Sequence, residues 1–111
     1  MAEIRKLTSV EDYKEFMAQD PEKLHILKFG ADWCGPCKVL ETNIKNLDLG
    51  NNTDVLMAEI DVDADGTSSI VEEYAIRNIP NTFFFKNNEV QEFVNGAMTT
   101  QQLSAKIDTW K

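Results

Sequence analysis

Apolar residues recur along this chain in two rhythms. Val10, Tyr13, Phe16 and Met17 fall at helical spacing, as one stripe of an amphipathic helix does. Ser9, three residues ahead of Asp12, is placed to cap it. A helix is predicted over 10–18, closed by Asp20-Pro21. Leu24 to Phe29 reads as a strand with two faces, Leu24/Ile26/Lys28 and His25/Leu27/Phe29. After a short loop, Pro36 suits the first turn of a helix running to about Leu47, with Val39, Leu40, Ile44 and Leu47 as its apolar stripe. Gly50-Asn51-Asn52 breaks the chain, and Val55 to Asp61 is a second central strand. Thr67 or Asp65 caps a helix ending near Ala75, and Asn78-Ile79-Pro80 is a loop. Thr82 to Lys86 is an aromatic-rich strand that turns at Asn87-Asn88, since Asn tolerates positive φ, and returns antiparallel over Glu89 to Val94. Gly96 breaks that strand. Thr99 and Gln102 then cap a last helix with Leu103, Ile107 and Trp110 facing inward.

With a short strand ahead of the first helix, the order is βαβαβαββα. The chain is thus expected to be α/β, a single domain over 1–111, with one central mixed sheet and helices on both faces. No repeat or linker interrupts it.

Composition narrows the function. Of 111 residues, 42% are hydrophobic and 27% charged, enough for a packed core and against wholesale disorder. Nineteen acids against 11 bases give a net charge of −8, which repels nucleic acid from most of the surface. No apolar run is long enough to span a bilayer. Met1-Ala2-Glu3-Ile4-Arg5-Lys6 lacks the apolar stretch of a secretory signal. The expectation is a cytoplasmic protein, free of membrane, in a reducing compartment. There the Asn51-Asn52-Thr53 sequon would not meet the glycosylation machinery.

The cysteines carry the chemistry. Cys34 and Cys37 stand in Trp33-Cys34-Gly35-Pro36-Cys37-Lys38, where a strand ends and a helix begins. The reducing compartment and the very small loop the pair would close disfavour a structural staple, which leaves redox chemistry, metal binding or chance. Tetrahedral zinc wants four ligands, and the only other His or Cys is His25. Redox exchange is the favoured of these. The partial positive charge of the helix N-terminus, with Lys38 nearby, lowers the pKa of Cys34. Cys34 is expected to be the exposed attacking thiol, and Cys37, one turn into the helix, the less accessible resolving thiol.

These residues resemble the thioredoxin family. Phe29-Gly30-Ala31-Asp32-Trp33-Cys34-Gly35-Pro36-Cys37-Lys38 is similar to its active-site stretch. The likeness continues through Ile60-Asp61-Val62-Asp63, Tyr74 to Thr82, Phe85-Lys86-Asn87, Glu89-Val90 and Gly96-Ala97. The resemblance implies the thioredoxin fold and reduction of protein disulfides by dithiol exchange, with no bound cofactor. It also implies a monomer recycled by a flavin-dependent thioredoxin reductase, with clients such as reductases and peroxidases. By the same resemblance Pro80 is a cis-proline beside the dithiol that binds extended substrate. Trp33, Gly35, Pro36, Ile79, Gly96 and Ala97 would complete a flat apolar docking surface. The alternative is a redox-independent binding module on the same scaffold, a role that would not need both cysteines.

The chain departs from the family at informative places. The family's buried acid beneath the dithiol aligns with Lys28, and its lysine partner with Glu59. The usual Trp before the active-site loop is Gly30, the proline that kinks the active-site helix is Thr42, and the stretch near Ala64 to Ser69 is about two residues longer. Strand alternation puts Lys28 on the face of Leu24 and Ile26, and Glu59 on the strand expected to pair with it. A charge in an apolar layer is tolerable only when paired. A charge-reversed copy of the family's pair is therefore expected, with Lys28 or Glu59 accepting the proton of Cys37. Two solvated residues at a strand end are the plainer alternative. Finally, Asp61, Asp63, Asp65, Gly66 and Glu72 fit the spacing of a calcium-binding loop, although Asp61 ends a strand and Ser68 stands where such loops are apolar.

Overall fold

A computed structural model describes residues 3–49 and 54–111. The predicted break at Gly50-Asn51-Asn52, the sequon and the first two residues lie outside the described residues. Five strands form one sheet in the order β1-β3-β2-β4-β5. They are β1 (Arg5–Leu7), β2 (Leu24–Gly30), β3 (Val55–Asp61), β4 (Asn81–Lys86) and β5 (Glu89–Asn95). β1 and β2 flank β3 in parallel, and β2, β4 and β5 run antiparallel in succession. The helices are α1 (Val10–Ala18), α2 (Gly35–Lys45), α3 (Ser68–Glu73) and α4 (Thr100–Trp110).

The two faces of β2 divide the core as strand alternation dictates. Leu24 and Ile26 pack with Leu40 and Ile44 of α2 and with Leu103 and Ile107 of α4. Leu27 and Phe29 pack with Phe16 of α1 and Ile70 of α3. All of β2 is buried, which is why it reads as a nearly continuous apolar run. Local signals set the helix starts. The Ser9 hydroxyl accepts the Asp12 N–H at 3.1 Å, and Thr99 and Gln102 make a reciprocal capping box. Asn87 and Asn88 take positive φ of 54° and 64°, as the turn requires.

Two expectations need correction. Val39 does not join the apolar stripe of α2. It is exposed, because Cys37, Leu40 and Ile44 at spacings of three and four already define the buried face. The segment after β3 enters α3 through a 3-10 turn at Asp65–Thr67, and no side chain caps it. Thr67 instead turns its hydroxyl inward, donating to the carbonyls of Asp61 at 2.7 Å and Ala64 at 3.0 Å. Trp110 faces inward as expected, packed half-buried against the α2/α4 core, and its indole N–H donates to Glu92 Oε1 of β5 at 2.9 Å.

The loop between β3 and α3 lies hard against the start of α1. A Cβ at Gly66 would collide with the backbone carbonyl oxygen of Thr8. Neither backbone can yield cheaply, so Gly66→Ala is expected to destabilise the fold by about 1–3 kcal/mol, read from urea unfolding.

Tyr13 of α1 and Tyr74, just beyond α3, share a hydrogen bond between their hydroxyls. Burial pushes the Tyr74 phenol well above its ordinary 10.0, and Tyr13 is raised for the same first reason. Both hold their protons more tightly folded than unfolded. Stability is therefore level below pH 10 or so and falls as pH rises above it. Tyr13→Phe should flatten that alkaline fall, measured as urea midpoints from pH 8 to 10.5.

Candidate functional site

The end of β2 delivers the chain through Ala31, Asp32 and Trp33 into α2. Cys34 is the N-cap of α2, and its carbonyl accepts the Lys38 N–H at 3.2 Å. Pro36 sits in the first turn, where its missing N–H would have had no partner. Cys37 lies one turn in, bonded to Cys34 as a disulfide with Cα atoms 5.2 Å apart. The Cys37 N–H points at Cys34 Sγ from 3.2 Å, and the Ile79 carbonyl oxygen lies 3.9 Å from the same sulfur. Once the disulfide is reduced, the helix N-terminus and this N–H both favour negative charge on Cys34.

The expected exposure of Cys34 is not met. Cys34 is 4% exposed and Cys37 2%. The disulfide draws Cys34 against Cys37, and Ala31 and Ile79 pack over the pair. Exposure belongs instead to the residues around it. Trp33 is 71% exposed, and Gly35, Pro36 and Ala97 are also open, while Ile79 and Gly96 are half-buried and Pro80 is buried. The Ile79–Pro80 bond is cis. The Gly96 N–H donates to the Pro80 carbonyl at 2.8 Å, which holds the 79–80 and 96–97 segments together.

Trp33 has an anchor that sequence reasoning missed. Its indole N–H donates to Asp63 Oδ2, and the Asp63 N–H in turn donates to Asp61 Oδ1 at 2.8 Å. Asp63 stood in the acidic stretch read against a calcium loop, and only tertiary approach reveals its partner. Among the described residues no three His, Cys, Asp or Glu side chains converge as a metal site would need.

Lys28 and Glu59 are directly paired across β2 and β3. Lys28 Nζ lies 2.9 Å from Glu59 Oε1, with the side chains 1% and 12% exposed. Lys28 Nζ also donates to the Cys37 carbonyl at 3.1 Å, so the pair sits directly beneath α2. Lys6, the β1 partner of Glu59, stands 4.0 Å from Glu59 Oε2 and is exposed. Gly30 supplies the remaining element. A Cβ there would lie 3.0 Å from Glu59 Oε1 and 3.2 Å from Cys37 Sγ. The carboxylate and the sulfur thus face one slot above a bare α-carbon. A cavity of about 120 Å³, lined by Lys6, Thr8, Asp32 and Glu59 among others, adjoins it. That volume is ample for water. Gly30, which the sequence marked only as a departure, is what leaves this space.

The sequence matches the family described as Thioredoxin over residues 4–109. The chain belongs to the thioredoxin family. It is 36% identical over 97 residues to thioredoxin-1 of Drosophila yakuba, an alignment covering 87% of this chain and 86% of that one. It is 34% identical over 107 residues to a probable thioredoxin-2 of Caenorhabditis elegans, covering 96% and 72%. Its fold resembles the thioredoxin of Malassezia sympodialis with a TM-score of 0.80 at 30% identity, over 99% of this chain and 92% of that one. The mixed five-stranded sheet with four helices is the thioredoxin fold. The chain is a thioredoxin-type thiol–disulfide oxidoreductase, a protein-disulfide reductase whose redox pair is Cys34–Cys37. Membership in this family brings a thioredoxin reductase and disulfide-bearing clients as partners. No helix among the described residues is long and apolar enough to cross a membrane.

Proposed function

We propose that Cys34 opens the client disulfide, that Cys37 resolves the intermediate, and that the Lys28–Glu59 pair manages the Cys37 proton. The Cys34 thiolate attacks one sulfur of the client. The client S–S bond breaks, a Cys34–client mixed disulfide forms, and the other client sulfur leaves as a thiolate that takes a proton from water. Cys37 gives up its proton towards Glu59 and attacks Cys34 Sγ. The mixed disulfide breaks, and the second client sulfur leaves and is protonated. The client gains two electrons and two protons, and Cys34–Cys37 ends as the disulfide. A flavin-dependent thioredoxin reductase would return the two electrons.

The observation that supports this order of attack is the N-cap position of Cys34, with the Cys37 N–H aimed at its sulfur. The slot at Gly30, shared by Cys37 Sγ and Glu59 Oε1, supports the proton step. Pro80, Ile79, Gly96, Ala97, Trp33, Gly35 and Pro36 would receive the client's extended backbone around the cysteine. Clients such as reductases and peroxidases fit this chemistry. A net charge of −8 supports a monomer, and the chain is read as a single domain working in the reducing cytoplasm.

Insulin reduction tests the reading. With dithiothreitol as donor, catalytic amounts of the protein are expected to bring on insulin precipitation well ahead of dithiothreitol alone. With a thioredoxin reductase and its nicotinamide cofactor, turnover should continue without dithiothreitol. No acceleration in the first assay would reject the reading. Acceleration in the first with none in the second would reject only the recycling partner.

A further inference from the structure

Beyond Pro80 the sheet keeps an open aromatic pocket on its edge. Among the described residues β5 pairs only with β4, and Phe83↔Phe93 and Phe85↔Val90 are register partners. Gln91 is an extra residue between Phe84↔Glu92 and Phe85↔Val90, and this bulge brings Val90 and Phe93 onto the same face of the sheet. That face is the α1/α3 side, but α3 stops at Glu73 and leaves the edge uncovered. Phe93 is 58% exposed and stacks on Phe83 with ring centroids 5.6 Å apart. Tyr74 packs on the same Phe83 at 5.1 Å.

Between these rings and the segment leading to Pro80 lies a cavity of about 330 Å³, lined by Tyr74, Arg77, Asn81, Phe83, Phe93 and Asn95 among others. Two features show that it is more than an uncovered apolar edge. Asn81 is 7% exposed, and its Oδ1 has no hydrogen-bond partner among the described residues. Native structures seldom leave a buried amide oxygen unpaired. Asn81 lines the pocket and carries this unused polar valence beside it. Arg77 makes no ion pair among the described residues, although acids outnumber bases 19 to 11 in the chain. The pocket therefore presents an aromatic wall, a buried amide and an unpaired guanidinium.

We propose that this pocket is a second docking site for the client segment whose cysteine is attacked by Cys34, and that it selects an aromatic side chain next to an acidic residue. The occupant follows from continuity and charge. Pro80 and Gly96 are joined by a backbone hydrogen bond at the dithiol, and Phe83 and Phe93 lie three residues further along the same two strands. At about 3.3 Å per residue that is roughly 10 Å, which an extended peptide covers in about three residues. A client threaded past Pro80 would thus place its third or fourth residue from the cysteine against Phe93. Its ring would stack there, its main-chain N–H would meet Asn81, and a neighbouring carboxylate would meet Arg77. A second copy of this chain is a poorer occupant, since each copy carries −8.

This inference rests on the proposed attack by Cys34. The test uses the full chain and synthetic disulfide-bonded peptides in which a Phe-Asp pair is moved from two to six residues from the cysteine, on either side. An otherwise identical Ser-Asn series is the control. Oxidised hydroxyethyl disulfide, too short to reach the pocket, sets the reference. The wild type is expected to favour Phe-Asp at the third or fourth position on one side by about tenfold in kcat/KM. Phe93→Ser should reduce the preference to about twofold or less relative to the reference disulfide, and Arg77→Gln should remove the part due to Asp. Phe93 is exposed, so its variant should fold; Arg77→Gln keeps the test decisive if it does not. No positional preference in the wild type, or a preference unchanged in both variants, overturns the proposal. So does a concentration-dependent dimer in sedimentation that Phe93→Ser abolishes. Failure to reduce hydroxyethyl disulfide at all would instead reject the Cys34 mechanism.

Discussion

Glu59→Gln is expected to destabilise the protein by about 3 kcal/mol, because it leaves the Lys28 ammonium buried with only the Cys37 carbonyl and a neutral amide for company. Lys28→Met should cost less, about 1–2 kcal/mol, since Glu59 keeps Lys6 within 4.0 Å and is itself 12% exposed. The double variant should recover more than half of the Glu59→Gln loss, because a buried pair replaced on both sides loses its desolvation cost as well as its attraction. Urea unfolding of the four proteins gives the cycle. Reduction should fall further than stability does. Glu59→Gln is expected to lower kcat with insulin by about a hundredfold, the lower end of the usual range for a lost general base. The deficit should be largest at lower pH, where fewer Cys37 thiols ionise unaided. Rescue by Glu59→Asp would mark the carboxylate, rather than packing, as the active feature. Additive effects on stability near zero, with unchanged turnover, would show that the pair is merely accommodated.

Cys37→Ser should abolish multiple turnover and trap the intermediate. Cys34 still attacks, but no second thiolate follows, so a covalent Cys34–client adduct accumulates with one client peptide per protein chain. Intact mass spectrometry of the variant mixed with a disulfide peptide reads this directly, and dithiothreitol should reverse it. Cys34→Ser should lose activity and form no adduct in the same minutes-long window. A Cys34→Ser/Cys37→Ser chain that fully restores the biological role would favour the redox-independent binding module.

Much of this architecture is legible before any coordinates because its signals are local. The Ser9 and Thr99 caps, the paired asparagines at 87 and 88 and the alternation along Leu24–Phe29 each concern residues a few positions apart. Lys28 and Glu59 were legible for a related reason. Strand alternation fixes the face, and parallel pairing of neighbouring strands fixes the rest. What sequence reading missed depends on distant segments meeting. Asp63 became the anchor of Trp33 only because the β3–α3 loop folds beside the active-site turn. Cys34 lost its expected exposure because Ile79, 45 residues on, packs over it. The bulge at Gln91 that turns Val90 and Phe93 to one face interrupts the alternation from which faces are read. Thr67 has the composition of a cap, yet its hydroxyl reaches back to Asp61.

The order in which the two sulfurs act is the centre of this account, and limiting alkylation tests it most directly. The reduced wild-type protein is treated with less than one equivalent of iodoacetamide near neutral pH, and the adduct is mapped by peptide mass spectrometry. Cys34, at the helix N-terminus with the Cys37 N–H on its sulfur, is expected to carry nearly all of the label. Predominant labelling at Cys37 would contradict the account.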